Sequence, residues 1–209
     1  MIEANKQGLD KGTATTIDRT YNKRGIAVGA TVMVLTQIVM VAIMTITPVH
    51  MKHHAHSLNE VGLVIGFHIG AMYLPSLITG ILVDKIGRTT MSIASGATLL
   101  LAGVLAAVAP SDSMMLLVIA LSLLGLGWNF GLISGTAQIV DSTDPSTQGT
   151  VDVFVALAGA SGGALSGMAV ANSSYATLGF SGAVMSLLLI PVVIWSRSGK
   201  KNNSQELDM

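Results

Sequence analysis

The sequence predicts an all-α integral membrane protein built from six transmembrane helices. Six apolar stretches lie between Gly25 and Trp195, each roughly 20 residues long, which is the length that a helix needs to cross a bilayer. Hydrophobic residues make up 51% of the chain and charged residues only 11%, whereas about a quarter of the residues in a soluble domain are charged. The third observation is an uneven distribution of the basic residues.

Ten of the eleven Lys and Arg residues fall on one side of the membrane when the six stretches are threaded in and out of a bilayer, and only Lys52 lies opposite. Basic residues resist translocation, so the side that holds the ten is predicted to be the cytoplasm. We therefore expect a multi-pass protein of the cell membrane with both termini cytoplasmic. The ten are Lys6, Lys11, Arg19, Lys23, Arg24, Lys85, Arg88, Arg197, Lys200 and Lys201.

The apolar stretches predict helices rather than strands. In lipid, every backbone polar group must be paired within its own segment or in a closed barrel. A transmembrane strand would be about 9–11 residues long and would alternate in polarity, and these stretches do neither. In chain order the predicted spans are residues 25–49, 61–83, 89–109, 114–140, 150–171 and 176–195.

Short polar segments are predicted to join the spans. Residues 50–60, 110–113 and 172–175 would lie outside, and residues 84–88 and 141–149 would lie inside. The domain organisation follows from this pattern. A cytoplasmic N-terminal segment (1–24) precedes one six-helix membrane domain (25–196), and a cytoplasmic tail (197–209) follows it.

Three of the spans carry a glycine at every fourth position. This spacing keeps small residues on one helix face, where two backbones can approach closely and gain van der Waals contact. The sequence therefore predicts three helix–helix contact faces. The triplets are Gly62, Gly66 and Gly70 in span two, Gly127, Gly131 and Gly135 in span four, and Gly159, Gly163 and Gly167 in span five.

The sharpest local motif is the segment GILVDKIGR, between spans two and three, which begins at Gly80. Gly87 permits a tight turn, and Asp84 can stabilise the N-terminus of the following helix. Lys85 and Arg88 can bind carbonyls, acids or lipid phosphates. A solvated turn with positive-inside charges would explain the two bases, but it would not explain the acid or the two glycines.

The pattern Gly-x-Leu-x-Asp-Lys-x-Gly-Arg resembles the signature loop of the major facilitator superfamily. In that family the loop joins the second and third helices of each six-helix half, and it has the same ordinal place here. Thr89 and Thr90 stand where the family's loop often has a further basic residue.

The resemblance covers nearly all of residues 20–197 and fits the C-terminal half of a twelve-helix transporter. Residues 45–51, the His-rich stretch after them and residues 67–68 resemble the seventh and eighth helices of bacterial members. Residues 125–130 (GLGWNF) and 135–136 resemble the tenth. Gln148 and Asp152 fit the opening of the eleventh, where Val151 replaces an Asn. Residues 1–24 then resemble the family's central cytoplasmic loop, and the family's first six helices are missing.

The resemblance implies proton-coupled movement of a small solute or drug by two halves that rock about a central cavity. One half supplies one wall of that cavity, so the expected partners are the lipid bilayer, a solute, and a second six-helix unit or a second copy of the chain. Three alternatives remain: a truncated fragment without transport activity, a static membrane module that interacts with other proteins, and a small metal-binding membrane protein.

Polar side chains inside the spans are costly and are therefore functional candidates. His68 could bind a proton or a solute, or it could be a neutral histidine bonded to a carbonyl. Asn129, next to Trp128, lies mid-span and needs a partner or a water-filled cavity. Tyr73 and Pro75 can shape the cavity wall or simply pack. The predicted cavity candidates are thus His68, Tyr73, Trp128 and Asn129.

A second group is predicted to act in gating or packing. Gln138 and Asp152 lie toward the cytoplasmic face, where they can lock helix ends or pair with the signature loop. Gly159, Gly163 and Gly167 join them as the small residues of span five.

The external segment contains four histidines, at positions 50, 53, 54 and 56. Neutral imidazole is a good ligand for zinc, copper or nickel. A structural zinc site needs a defined tetrahedral set, however, and the nearest following carboxylate is that of Glu60. External proton sensing is a second possibility, and histidine is also tolerated at a membrane interface. We predict no metal site.

The composition also argues against several classes of protein. The chain has no cysteine, which excludes disulfides and thiolate chemistry. Its formal net charge is zero, so it has no basic field for nucleic acid. It contains no nucleophile elbow, Walker loop or zinc-protease helix. We therefore expect a protein that is not an enzyme and that needs no cofactor.

The predicted orientation can be tested with single cysteines, because the chain has none of its own. Ser57→Cys should be labelled by an impermeant thiol reagent on intact cells, whereas Ser204→Cys should be labelled only after permeabilisation. Labelling of Ser204→Cys but not of Ser57→Cys on intact cells would refute the orientation.

Overall fold

A computed structural model describes residues 22–194 of the chain. Residues 1–21 and the predicted tail 197–209 lie outside this part. The described residues form helices and no strand, and six helical stretches are long and apolar enough to cross a membrane. The predicted all-α fold with six spans is therefore confirmed. The helices are α1 (Lys23–His53), α2 (Leu58–Tyr73), α3 (Ser76–Ile86), α4 (Arg88–Val108), α5 (Met114–Val140), α6 (Pro145–Ala171) and α7 (Tyr175–Leu187).

The first helix is longer than the sequence predicted. Asn22 caps it, because the side-chain oxygen accepts hydrogen bonds from the backbone N–H groups of Arg24 and Gly25, both at 3.1 Å. The helix then continues past Pro48 to His53. The prediction of a polar loop over residues 50–60 was thus wrong at both ends, because polarity alone does not end a helix and α2 already begins at Leu58.

The helix α6 also begins earlier than predicted. Asp144 accepts a hydrogen bond from the backbone N–H of Thr147 at 3.0 Å, and Pro145 occupies the first helical position. An N-cap Asp followed by Pro is a strong helix start, so the predicted loop over residues 141–149 is shorter than expected. The backbone N–H of Thr147 and, secondarily, the hydroxyl of Ser146 lower the pKa of Asp144.

The second span is broken in the middle, which contradicts the single helix predicted over residues 61–83. Helix α2 ends at Tyr73 and α3 begins at Ser76. Pro75 has no backbone N–H, so it cannot donate the hydrogen bond that would continue α2. At the other end of the chain, α7 turns at Leu188, and the helical course of the last span continues to Ile194.

The bundle is organised around α5, which packs against α1, α2, α3 and α4. Helix α1 also packs against α6 and α7, and α7 packs against α4. Within its most apolar stretch, α5 has half of its residues buried (50%), whereas the α2–α3 pair has 22% and α6 has 28%. The α2–α3 pair and α6 are therefore the outer helices, and each has a large face without a partner in the described part of the chain.

The predicted glycine contact face of α5 is confirmed. A Cβ on Gly131 would lie 2.5 Å from the Oγ1 atom of Thr36 and 2.7 Å from the Oγ atom of Ser95. A Cβ on Gly127 would lie 2.9 Å from a Leu99 side-chain carbon. The backbones of α1 and α4 can approach α5 this closely only because these side chains are missing.

The other two glycine triplets form such a face only at Gly159. A Cβ on Gly62 or Gly66 would meet nothing within 4 Å. In α6, a Cβ on Gly159 would lie 2.8 Å from the Nε2 atom of Gln37 and a Cβ on Gly163 would lie at an ordinary 3.4 Å from Val41, whereas Gly167 has open space. The glycines of span two and Gly167 therefore make no close helix contact among residues 22–194, because α2 and α6 are outer helices whose glycines partly face away. Their predicted role in helix–helix packing stays a prediction.

The difference between these glycines predicts a difference in stability. Gly131→Ala should destabilise the bundle by about 1–3 kcal/mol, since the new methyl group overpacks the contact with Thr36 and Ser95. Gly62→Ala is the matched control, and it should leave stability unchanged or raise it by about 1 kcal/mol through helix propensity. Thermal unfolding of both variants in detergent measures this. Equal midpoints would contradict the packing at Gly131.

Candidate functional site

The centre of the wall formed by α2, α3 and α5 is a hydrogen-bond junction at Asn129. Its Nδ2 atom donates to the carbonyl of Met72 at 2.7 Å and to the Ser76 hydroxyl at 2.9 Å, and its Oδ1 atom accepts from the Thr79 hydroxyl at 2.5 Å. Asn129 is 2% exposed. The amide thus supplies the polar partners that the broken helix needs inside the membrane, and it stands behind the wall. Its predicted role as a lining residue stays a prediction.

Trp128 connects three helices next to this junction. Its indole N–H donates to the Oε1 atom of Gln37 on α1 at 2.7 Å. Its ring meets that of Tyr73 edge-on, with centroids 5.9 Å apart and planes at 73°. Tyr73 is 60% exposed and stands at the end of α2, where the helix breaks. The two predicted aromatic candidates therefore lie together, and Gln37 joins them.

His68 lies deeper between α2 and α5. Its Nδ1 atom is 2.8 Å from the carbonyl of Leu121, so Nδ1 carries the proton and donates. The Nε2 atom is buried without a hydrogen-bond partner in the described part of the chain. The sequence left two interpretations of His68, a proton- or solute-binding group and a neutral histidine bonded to a carbonyl. The bond to a carbonyl is present, and the Nε2 atom remains as an acceptor for a proton.

An apolar groove of 680 Å³ runs along the outer face of α2. The first glycine triplet contributes Gly66 and Gly70 to it, and Phe67 and Leu74 line it as well. Both of these side chains are largely exposed. The glycine spacing of span two therefore forms a smooth outer surface rather than a contact within this bundle.

The signature loop lies at one end of the bundle, which we call the motif end. Gly87 ends α3 with φ +93°, a left-handed conformation that favours glycine. The Arg88 guanidinium lies 2.9 Å from an Asp141 carboxylate oxygen at the end of α5 and 3.9 Å from Asp84. The loop thus joins the start of α4 to the end of α5. Lys85 has an exposed side chain.

The two polar residues predicted near this end are placed differently from each other. Gln138 is buried, and its Nε2 atom donates to the Ser92 hydroxyl on α4 at 3.0 Å. Asp152 is exposed, and no ion pair to it is found among residues 22–194. The structure therefore brings Gln138 into the contact between α4 and α5, whereas Asp141, which the sequence reasoning missed, pairs with the signature loop.

The four histidines lie at the opposite end, which we call the histidine end. His56 is buried, with Nε2 2.8 Å from the carbonyl of Ser111 and Nδ1 3.6 Å from Glu60. The His50 ring stacks on Tyr175 at 4.2 Å. Among the described residues, no group of three or more His, Cys, Asp or Glu side chains is placed to hold a metal ion. His50 and His56 thus contact other parts of the bundle, at Tyr175 and Ser111.

Gln37 is the main site residue that the sequence analysis overlooked. It is the lone amide in the apolar run of α1, and the criterion that selected Asn129 would also have selected it. The polar partners Ser76 and Thr79 could not have been found in this way, because a hydroxyl inside a membrane helix usually bonds its own backbone.

The junction predicts a cost for removing the amide. Asn129→Leu, of similar size, should lower stability by about 1–3 kcal/mol, because the Met72 carbonyl loses a bond that lipid cannot replace. Thr98→Val is the control, since within residues 22–194 the Thr98 hydroxyl bonds only the Ala94 carbonyl of its own helix. Thermal unfolding in detergent compares them. An Asn129→Leu midpoint no lower than that of Thr98→Val would contradict the role given to the junction.

Comparison with known proteins gives the family. The sequence profile of the Major Facilitator Superfamily matches residues 23–208. Over 198 residues the chain is 72% identical to the MFS-type transporter YdeG of Bacillus subtilis, which covers 93% of this chain but 46% of that protein. It is 70% identical over 178 residues to the MFS-type transporter YddS of the same organism, covering 83% of this chain and 41% of the relative.

A more distant relative is the riboflavin transporter RfnT of Brucella anthropi. It is 30% identical over 160 residues, which are 74% of this chain and 40% of the relative. The chain thus spans less than half the length of the curated relatives it matches, as a half-length unit would. With a profile match over most of its length and relatives at 70% identity and above, this six-helix membrane chain belongs to the major facilitator superfamily.

Proposed function

We propose that the chain is one half of a secondary transporter and moves a small solute across the cell membrane together with a second six-helix unit. The observation that carries this proposal is the coverage of the match. Nearly all of the chain (93%) corresponds to 46% of a relative that is named a transporter. A chain of six spans that matches less than half of a longer transporter is expected if it corresponds to one of two rocking halves.

The uneven burial of the helices supports the same proposal. The outer helices α2, α3 and α6 expose large apolar side chains, among them Tyr73, Leu77 and Phe154. These helices flank α1 and α5, so the face that they border together is wide enough for a second bundle. A second unit of the family or a second copy of the chain would cover this face, and lipid would cover the rest.

The basic bias of the sequence supports an orientation with the motif end in the cytoplasm. The bond between Arg88 and Asp141 would then hold α4 and α5 together at the cytoplasmic mouth of the cavity.

His68 is the group that we assign to proton coupling, because its buried Nε2 atom accepts a proton without first losing a partner. The 30% identity to a riboflavin transporter makes riboflavin the first solute to test.

The proposal predicts transport only when both halves are present. The chain should be co-expressed with the part of YdeG that it does not match, and vesicles should be assayed for proton flux driven by a panel of solutes that includes riboflavin. The combination should show flux and the chain alone should not, because one half supplies one cavity wall. Asp84→Asn should reduce the flux, and Asp112→Asn, in an exposed turn at the histidine end, is the control.

Two results would contradict the proposal. Flux from a monomer verified by cross-linking would show that one wall is enough. A stable complex of the two halves without flux for any solute would instead favour a static module. A homodimer with flux would support a transporter made from two copies, although two identical chains in the same orientation must then supply both walls.

A further inference from the structure

We propose that Gln37, Tyr73 and Trp128 form the solute-binding corner of this wall, and that the corner takes an uncharged, planar aromatic molecule. The inference rests on the proposed function only in so far as the bound molecule is the transported one. The binding itself can be measured without transport.

The two rings supply aromatic surfaces that are steeply inclined to each other. Tyr73 and Trp128 meet edge to face at 73°, so a flat ring can stack on the phenol and turn its own edge toward the indole. Both arrangements are favoured between aromatic rings, at about 0.5–1.5 kcal/mol beyond the area buried. Tyr73 has most of its ring free for this, since it is 60% exposed.

Gln37 supplies a hydrogen-bond donor at the same place. Its Oε1 atom is occupied by the Trp128 indole N–H, which fixes the amide plane. Its Nε2 atom makes no hydrogen bond within residues 22–194, and a Cβ on Gly159 would lie only 2.8 Å from it. Glycine at this position of α6 therefore leaves room for the amide group. An oriented donor with no partner suits a carbonyl or a ring nitrogen of a heteroaromatic solute.

The absence of charge in the surrounding helices sets the charge of the ligand. Helix α5 has no Asp, Glu, Lys or Arg along its length, and α1 has none between Gly25 and Met51. The Asp, Glu and Lys residues of α2, α3 and α6 lie toward the helix ends, and His68 is the titratable side chain in the interior of α2. A cationic solute in mid-membrane would therefore meet no carboxylate on this wall and would be strongly disfavoured.

The test uses the fluorescence of Trp128 in the full chain, purified in detergent. The chain has two tryptophans, so Trp195→Phe makes Trp128 the single reporter. Lumichrome, a neutral planar tricycle, should quench it with a saturable curve, and proflavine, a cationic tricycle of similar size, should bind at least about tenfold more weakly.

Variants then locate the binding. In the Trp195→Phe background, Gln37→Leu and Tyr73→Ala should each raise the Kd of lumichrome by about three- to tenfold. Tyr73→Phe should keep the original Kd, because the Tyr73 hydroxyl makes no hydrogen bond among the described residues. Phe67→Ala, which removes an exposed ring from the apolar groove on α2, is the matched control and should change nothing.

Three results would overturn the inference. The first is quenching that does not saturate and is equal in all variants. The second is an equal affinity for proflavine. The third is a Kd of lumichrome that rises on Phe67→Ala but not on Tyr73→Ala, which would place the binding in the groove on α2. Saturable binding at the corner without flux in the two-half assay would support this assignment and contradict the transport proposal, so the two failures are distinguishable.

Discussion

The wall described here depends on one hydrogen bond in the middle of the membrane, from the Asn129 side chain to the backbone carbonyl of Met72. Hydrocarbon offers no water to a carbonyl that a helix break leaves open. Pro75 creates such a break, and the Asn129 side chain on α5 donates a hydrogen bond to the Met72 carbonyl there at 2.7 Å. The Asn129 junction therefore fixes α2 and α3 to α5 at the level where Tyr73 leaves the helix. Tyr73 lies next to Trp128 because the Asn129 junction holds the end of α2 against α5. The geometry of the solute-binding corner therefore depends on the break between α2 and α3.

The remaining helices follow from the close packing around α5. The glycines of α5 let Thr36 and Ser95 approach within van der Waals distance, so α1, α4 and α5 form a closely packed core. Hydrogen bonds such as that from Gln138 to the Ser92 hydroxyl lie within this core. The outer helices are attached to this core along one side only. Their apolar outer faces cost nothing in lipid, since lipid tails are as apolar as leucine, and such faces can exchange lipid for another bundle without first being desolvated.

The sequence predicted the six spans well, because span length and hydropathy are set by the thickness of the bilayer and not by neighbouring helices. It failed where neighbours decide. A proline in a long apolar run is tolerated in membrane helices when another helix supplies the lost hydrogen bond. The sequence alone therefore could not predict the break at Pro75, because it does not show that Asn129 lies opposite. Glycine spacing shows that a face is smooth, but it does not show what that face meets, which is why Gly131 and Gly62 behave differently. Gln37 was available to sequence reasoning and was overlooked, whereas Asp141 could be linked to Arg88 only through the fold.

The two ends of the bundle are held by contacts of different kinds. At the motif end Arg88 and Asp141 form a half-exposed ion pair, and such pairs contribute about 1 kcal/mol or less and weaken with salt. At the histidine end the buried His56 bonds the Ser111 carbonyl, which ties the turn after α1 to the turn before α5. Both links lie within this half, and with the Asn129 junction between them they join α2, α3, α4 and α5 at three levels. These three links oppose movement of the joined helices relative to one another. In the transport mechanism proposed above it would rock as one body, and the sliding would take place on the open faces of α2, α3 and α6.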